Sequence, residues 1–213
     1  MNLGILIILI VFLGYISNWL NWRYLNYSVV RLLFYIGAVI HELSHVAFCF
    51  LTGAIVKEIS IFSKKPHVVH SKPRIPLIGS LLISLAPIIG GLLFLFLINR
   101  YCLADYFTIP QFLEWQGFLT ALPVLLSQIN LLDWQGWLMI LLSLNIGAMI
   151  GPSWQDIKNI WPIMIIFFFI KWPLLINIGL LVIVLILANI AIQIILILII
   201  KTAKLVKLGL TSL

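Results

Sequence analysis

Long apolar runs separated by short polar stretches dominate the chain. Runs that could cross a bilayer as helices lie at about residues 3–20, 29–54 and 75–98, and the clearest run covers residues 174–200. Because an α-helix rises about 1.5 Å per residue, about 20 apolar residues cross the roughly 30 Å hydrocarbon core. The pattern therefore predicts an all-α polytopic membrane protein.

The region between residues 101 and 170 has a less regular pattern. The stretch "GFLTALPVLLSQINLL" is apolar but short and contains Pro123, so we expect an interfacial or re-entrant helix there, or an extra span. Two shorter runs, at residues 137–151 and 160–170, flank the polar break "GPSWQDIKN". If both runs cross, the chain has about six transmembrane helices.

A short β-hairpin is predicted after the second span. "VKEISIF" is rich in strand-forming residues, "SKKP" has turn chemistry, and "HVVHS" can return as a second strand. With six crossings, the N-terminus, this hairpin, the "PSWQD" loop and the C-terminus would share the cytoplasmic side. The positive-inside rule supports that arrangement. Basic residues follow the second run and the last one: Lys57, Lys64, Lys65, Lys72, Arg74, Lys201, Lys204 and Lys207.

Composition supports a membrane location and a single domain. Hydrophobic residues make up 63% of the 213 residues and charged residues only 9%, whereas soluble domains are about 25% charged. We therefore expect one integral membrane domain over residues 1–213, in a multi-pass protein of the cell membrane. The net charge of +7 resides between the apolar runs, so it indicates contact with the lipid bilayer rather than with nucleic acid.

The run "GAVIHELSHVAFCF" places three ionisable residues inside the second span. An ionisable group near the centre of a span costs about 2.5 to 3.5 kcal/mol on insertion scales, so a compensating partner is expected. His41 and His45 lie four residues apart on one helix face, and Glu42 is adjacent. This is the HExxH arrangement, in which two histidines ligate zinc and the glutamate acts as general base.

A zinc ion bound by two histidines requires a third protein ligand. We favour Asp156, because Asp105, Glu114 and Asp133 fall in a segment predicted on the opposite side of the membrane. Asp156 also has a purely structural interpretation, since Ser153 three residues earlier makes a capping-box-like pattern at a helix start. We expect one orientation of the carboxylate to serve either as ligand or as cap, but not as both.

The motif and its surroundings resemble the site-2 protease family of intramembrane zinc metalloproteases. The similarity covers residues 30–170 and includes "HELSH" in a membrane helix, the hairpin-like segment, "APIIGG" in the next span and a later aspartate. It implies zinc held by His41, His45 and Asp156, Glu42 as catalytic base, and Asn145 in substrate binding. The implied activity is hydrolysis of peptide bonds in or near transmembrane segments of membrane protein substrates. The family's aspartate commonly precedes glycine, whereas Ile157 follows it here.

Three other functions remain open from the sequence. A zinc peptidase of another helical type would take a glutamate, here Glu58, as third ligand. A membrane metal transporter or metal-binding protein would use the histidines without hydrolysis, and a catalytically inactive family member would only bind membrane helices. His67 and His70 would point to opposite faces of a strand, so we expect solvated histidines there rather than a second metal pair.

Overall fold

The computed structural model is mostly helical. It describes residues 2–24, 34–61, 63, 66–106, 108, 123–124, 127–128, 130, 132–151, 153–161, 167, 169 and 171–210. Six α-helices lie in these ranges: α1 (Leu3–Tyr24), α2 (Tyr35–Thr52), α3 (Pro76–Leu97), α4 (Trp134–Met149), α5 (Trp154–Ile160) and α6 (Pro173–Leu210). A short π-helical turn, Ile98–Cys102, extends α3.

Four of these helices are long and apolar enough to cross a membrane. They contain the segments Leu3–Asn21, Tyr35–Thr52, Pro76–Cys102 and Pro173–Lys204. These segments agree with the four long runs of the sequence, and they are compatible with a multi-pass membrane protein. Helix α4 is apolar but shorter, at 16 residues. The predicted re-entrant segment and the run at residues 160–170 lie largely outside the described residues.

The predicted hairpin is confirmed. Strands β1 (Val56–Ser60) and β2 (His67–His70) pair antiparallel, with Ile59 opposite Val68. Helix α2 ends just before β1 at Gly53, whose φ of 70° is a left-handed conformation that glycine adopts without strain. The hairpin therefore begins directly at the end of the helix that carries the HExxH motif.

Helices α1 and α6 pack side by side and run parallel. Leu6 contacts Gly179, the Nε2 of Gln193 donates a 2.9 Å hydrogen bond to Ser17 Oγ, and the ammonium of Lys201 lies 4.9 Å from the Tyr24 ring centre. The residue numbers of the contacting pairs thus increase in the same direction along both helices, which shows that they are parallel. Residues of α1, α3, α4 and α6 share one buried apolar cluster.

Helix α2 packs closely against α3 and α4, and glycines permit both approaches. A Cβ atom on Gly90 of α3 would lie only 1.9 Å from Ser44 Oγ, and one on Gly37 would lie 2.0 Å from the Asn145 carbonyl oxygen of α4. Side chains at either position would force the helices apart. Gly37 lies one turn before His41 and Gly90 faces Ser44, next to His45, so both close helix approaches occur beside the histidine pair.

The distribution of chain segments between the two ends of the bundle differs from the prediction. Phe34, just before α2, packs with Leu20 of α1 and Ile197 of α6, so α2 starts at the end where α1 finishes. The hairpin, which follows α2, lies at the other end. The C-terminal lysines therefore lie opposite the hairpin, and the prediction that they share one side is wrong.

The break after α4 explains this difference. Gly151 lies against the backbone of Gly14, in the middle of α1, so the polar break is inside the bundle rather than in an outer loop. Helix α5 then continues along α3, where Asn159 Nδ2 donates to Ser84 Oγ at 3.2 Å. Helices α4 and α5 thus follow each other through the interior of the bundle. The sequence pattern instead predicts two crossings separated by an outer loop.

Candidate metal centre

The two histidines of the motif face each other on α2. Their Nε2 atoms are 3.3 Å apart, and the ring planes meet at 72°. His45 is only 9% exposed. The helical spacing of four residues therefore brings both rings to one point, as the sequence predicted.

Backbone carbonyls of two other helices hold the outer nitrogens of these rings. His41 Nδ1 lies 2.6 Å from the carbonyl oxygen of Met149, and His45 Nδ1 lies 2.9 Å from that of Ile83. Because a carbonyl oxygen can only accept, each Nδ1 must carry the proton and donate it. This assignment of tautomers follows from the hydrogen-bond partners.

The tautomers have a direct electrostatic consequence at the Nε2 atoms. In a neutral imidazole protonated at Nδ1, the Nε2 atom carries an unshared electron pair. Two such pairs face each other here at 3.3 Å, which is unfavourable unless a cation, either a proton or a metal ion, lies between them. Outer hydrogen bonds of this kind also fix the rings of metal-ligating histidines.

Asp156 supplies an anionic oxygen beside the pair. It is 5% exposed, and its Oδ2 lies 3.8 Å from His45 Nε2. One ligand atom from each of His41, His45 and Asp156 lies within 4.8 Å of the other two. The described residues therefore bring together the three side chains that the sequence analysis favoured.

The same carboxylate caps helix α5. Asp156 Oδ2 accepts hydrogen bonds from Ser153 N at 2.9 Å and from Ser153 Oγ at 2.6 Å, while Asp156 N donates to Ser153 Oγ. A carboxylate offers about four lone-pair positions, so a cap leaves acceptor capacity unused. Both hydrogen bonds go to Oδ2, the oxygen that lies 3.8 Å from His45, so one orientation combines the cap with proximity to His45; whether the capping carboxylate also serves as a ligand stays a prediction.

The cap also explains why the Met149 carbonyl is available to His41. In a continuous α-helix, that carbonyl would accept the N–H of residue 153. Here the N–H of Ser153 donates to Asp156 instead. The helix break thus positions two groups of the site, the Met149 carbonyl and the Asp156 carboxylate.

The donor set fits zinc. Tetrahedral zinc with ligand distances of about 2.0 to 2.2 Å separates its ligand atoms by roughly 3.3 to 3.6 Å. The observed separation of 3.3 Å between the histidine nitrogens falls in that range, and the 3.8 Å separation between His45 and Asp156 is slightly longer. The third separation, between His41 and Asp156, is bounded only by the 4.8 Å span of the group, so the carboxylate would have to move closer to both rings to complete a tetrahedral set.

Glu42 lies next to His41 on the same helix and is 6% exposed. It directly follows His41 in the sequence, on the helix that carries both histidines. A buried glutamate adjacent to a candidate metal ligand is a candidate general base.

The remaining candidates lie outside the group of three. Asn145 Nδ2 donates to the Leu141 carbonyl of its own helix at 3.0 Å, so its predicted part in substrate binding stays a prediction. Glu58, the alternative third ligand, is exposed and lies 3.6 Å from His67 Nε2. His70 Nδ1 donates to the Ser71 carbonyl.

Replacing Asp156 by asparagine should separate ligation from capping. We expect zinc affinity to fall at least about tenfold, because the substitution removes the anionic ligand while keeping an oxygen for the cap. Competition with a chromophoric chelator measures the affinity. Asp133→Asn at the start of α4 is the matched control and should leave affinity unchanged. Equal zinc affinity in the wild type and Asp156→Asn would leave Asp156 as a cap alone.

The motif does not predict the two backbone carbonyls that orient the rings. Backbone acceptors have no residue-type signature, so a motif search does not find them. A signal existed for Ile83, because the residue four positions later is Pro87, which has no N–H to donate.

Searches for similar proteins add no further evidence. No protein-family model, no curated protein and no solved structure matches the chain.

Proposed function

We propose that this protein is a zinc-dependent membrane endopeptidase that hydrolyses peptide bonds in or near transmembrane segments of membrane proteins. The main support is the geometry of the histidine pair. The Nδ1 atoms of His41 and His45 donate to backbone carbonyls, and their Nε2 atoms face each other at 3.3 Å, beside Asp156. Such a cluster inside a membrane helix favours a bound cation. The HExxH spacing supports zinc and hydrolysis over other uses of a cation.

Each residue of the cluster would have a separate task. His41, His45 and Asp156 would hold the ion, and the carbonyls of Met149 and Ile83 keep the two rings in place. Bound zinc would supply a Lewis acid that polarises the scissile carbonyl and activates water. Glu42 would accept a proton from the attacking water and pass it to the leaving amine.

The location of the cluster points to substrates within the membrane. The histidines belong to a helix that is apolar and long enough to span, and glycines hold its neighbours close. A peptide bond in a transmembrane helix is shielded by its own hydrogen bonds, so a substrate helix must unwind locally before hydrolysis. Segments with helix-weakening residues should therefore be preferred.

Peptide cleavage by purified protein tests the proposal. The probe is a mixture of synthetic peptides of about 20 apolar residues, each with glycine or asparagine near its centre, in lipid nanodiscs. We expect internal cleavage, detected by mass spectrometry, that a zinc chelator reduces at least about 100-fold and added zinc restores. Equal cleavage by metal-stripped protein, or intact peptides after incubation with zinc-loaded protein, would contradict the proposal.

A further inference from the structure

A proline interrupts the hydrogen bonding of α3 one turn after a residue that contacts the candidate metal centre. In an α-helix, the carbonyl of residue 83 accepts the N–H of residue 87. Residue 87 is proline, which has no N–H, so this bond is missing inside the helix. Ile83 is 2% exposed, so water does not replace the lost donor. The carbonyl is left with acceptor capacity in the interior of the bundle.

His45 uses that acceptor. Its Nδ1 donates to the Ile83 carbonyl oxygen at 2.9 Å, across the interface between α2 and α3. The bond determines which nitrogen of the ring carries the proton, and so leaves the Nε2 electron pair directed at His41. The orientation of one candidate ligand thus depends on a backbone group of a neighbouring helix.

Other contacts fix the position of that carbonyl relative to the remaining ligands. The next residue along α3, Ser84, is fully buried and accepts a hydrogen bond from Asn159 on α5, one turn beyond Asp156. On the other side, Gly90 lets α3 approach Ser44, the neighbour of His45. The segment of α3 around the proline therefore contacts both helices that contribute ligands.

We propose that Pro87 is a positioning residue for the metal centre: by leaving the Ile83 carbonyl without its helical donor, it holds His45 in the tautomer that directs Nε2 at the ion. The inference rests on the metal site of the proposed function but does not require peptidase activity. A proline that served only to bend α3 would have no effect on the His45 proton.

The variant Pro87→Ala tests this role through metal affinity. Alanine restores an N–H that competes with His45 for the Ile83 carbonyl. Since loss of an outer partner typically costs 10–100-fold in metal affinity, we expect zinc to bind about tenfold more weakly. Thermal stability of the metal-free protein should stay equal or increase, because the helix regains a hydrogen bond. Pro87→Gly restores the same N–H and should also weaken zinc binding.

Pro76→Ala is the matched control. Pro76 is at the first position of α3, where the N–H of any residue has no helical acceptor, so no carbonyl becomes occupied. Zinc affinity should match that of the wild type. Affinities within twofold for wild type, Pro87→Ala and Pro87→Gly would overturn the proposal, and so would a loss of affinity that Pro76→Ala reproduces.

A second measurement examines the proton directly and needs no metal. Side-chain ¹⁵N chemical shifts of His45 in metal-free protein should show Nδ1 protonated in the wild type and a mixture of tautomers in Pro87→Ala. Identical tautomer populations would overturn the positioning role. If the wild type binds zinc without cleaving peptides and the tautomers differ, the proposed function fails while the role of Pro87 stands; a wild type that binds no zinc would overturn both.

Discussion

Replacing His45 by alanine should abolish stoichiometric zinc binding. The substitution removes one of three candidate ligands and leaves the Nε2 of His41 facing an empty volume instead of a second nitrogen. Loss of an outer partner alone costs about 10–100-fold in metal affinity, so loss of a direct ligand should cost more than about 100-fold. Elemental analysis of purified protein should give about one zinc per chain for the wild type and almost none for His45→Ala.

The hairpin supplies the matched control for that experiment. His67 is also a histidine near the end of α2, but it is exposed and pairs with Glu58 outside the group of three. His67→Ala should therefore retain one zinc per chain. Full zinc content in His45→Ala, or equal losses in both variants, would refute the assignment of the metal centre to α2.

Replacing Glu42 by glutamine should remove peptide hydrolysis while zinc remains bound. Glutamine has nearly the same shape as glutamate but cannot accept a proton from water at neutral pH. Loss of a general base typically costs about 10²–10⁴ in rate, and we expect a loss in that range. Initial cleavage rates and zinc content measured on the same preparation give both quantities.

This substitution also separates the proposed peptidase from a metal transporter. A transporter that uses the histidine pair as a transit site should retain most of its transport in Glu42→Gln. Glu58→Gln is the control, since Glu58 is exposed on β1 and lies outside the ligand group. Its cleavage rate should equal that of the wild type. A Glu42→Gln rate within threefold of wild type would argue against the general-base role.

Hydropathy predicted the long helices and the hairpin because each has a strong local signal. Helices α1, α2, α3 and α6 follow apolar runs long enough to span, and β1 and β2 follow strand-forming residues around a turn. The pattern failed at residues 150–153, because a polar break has the same composition inside a bundle as in an outer loop. Only the contact of Gly151 with Gly14 places it inside.

The part of the candidate metal site that depends on residue spacing along one helix could be predicted from the sequence. His41 and His45 follow from the helical period, and they converge as expected. The proximity of Asp156 depends on how α5 packs against α3, which no local pattern encodes. Sequence also does not predict that one oxygen of Asp156 accepts a hydrogen bond from Ser153 and lies 3.8 Å from His45, because both contacts depend on the tertiary position of α5.

The length of α6 exceeds what a membrane crossing requires. Its 38 residues extend about 57 Å, and even a tilt of about 40° uses only about 39 Å of helix to cross a 30 Å core. If α6 crosses such a core, at least about 18 Å of helix would extend beyond the hydrocarbon region. The ammonium of Lys201 lies over the Tyr24 ring, so the C-terminal part of α6 extends from beside the end of α1, at the end of the bundle opposite the hairpin.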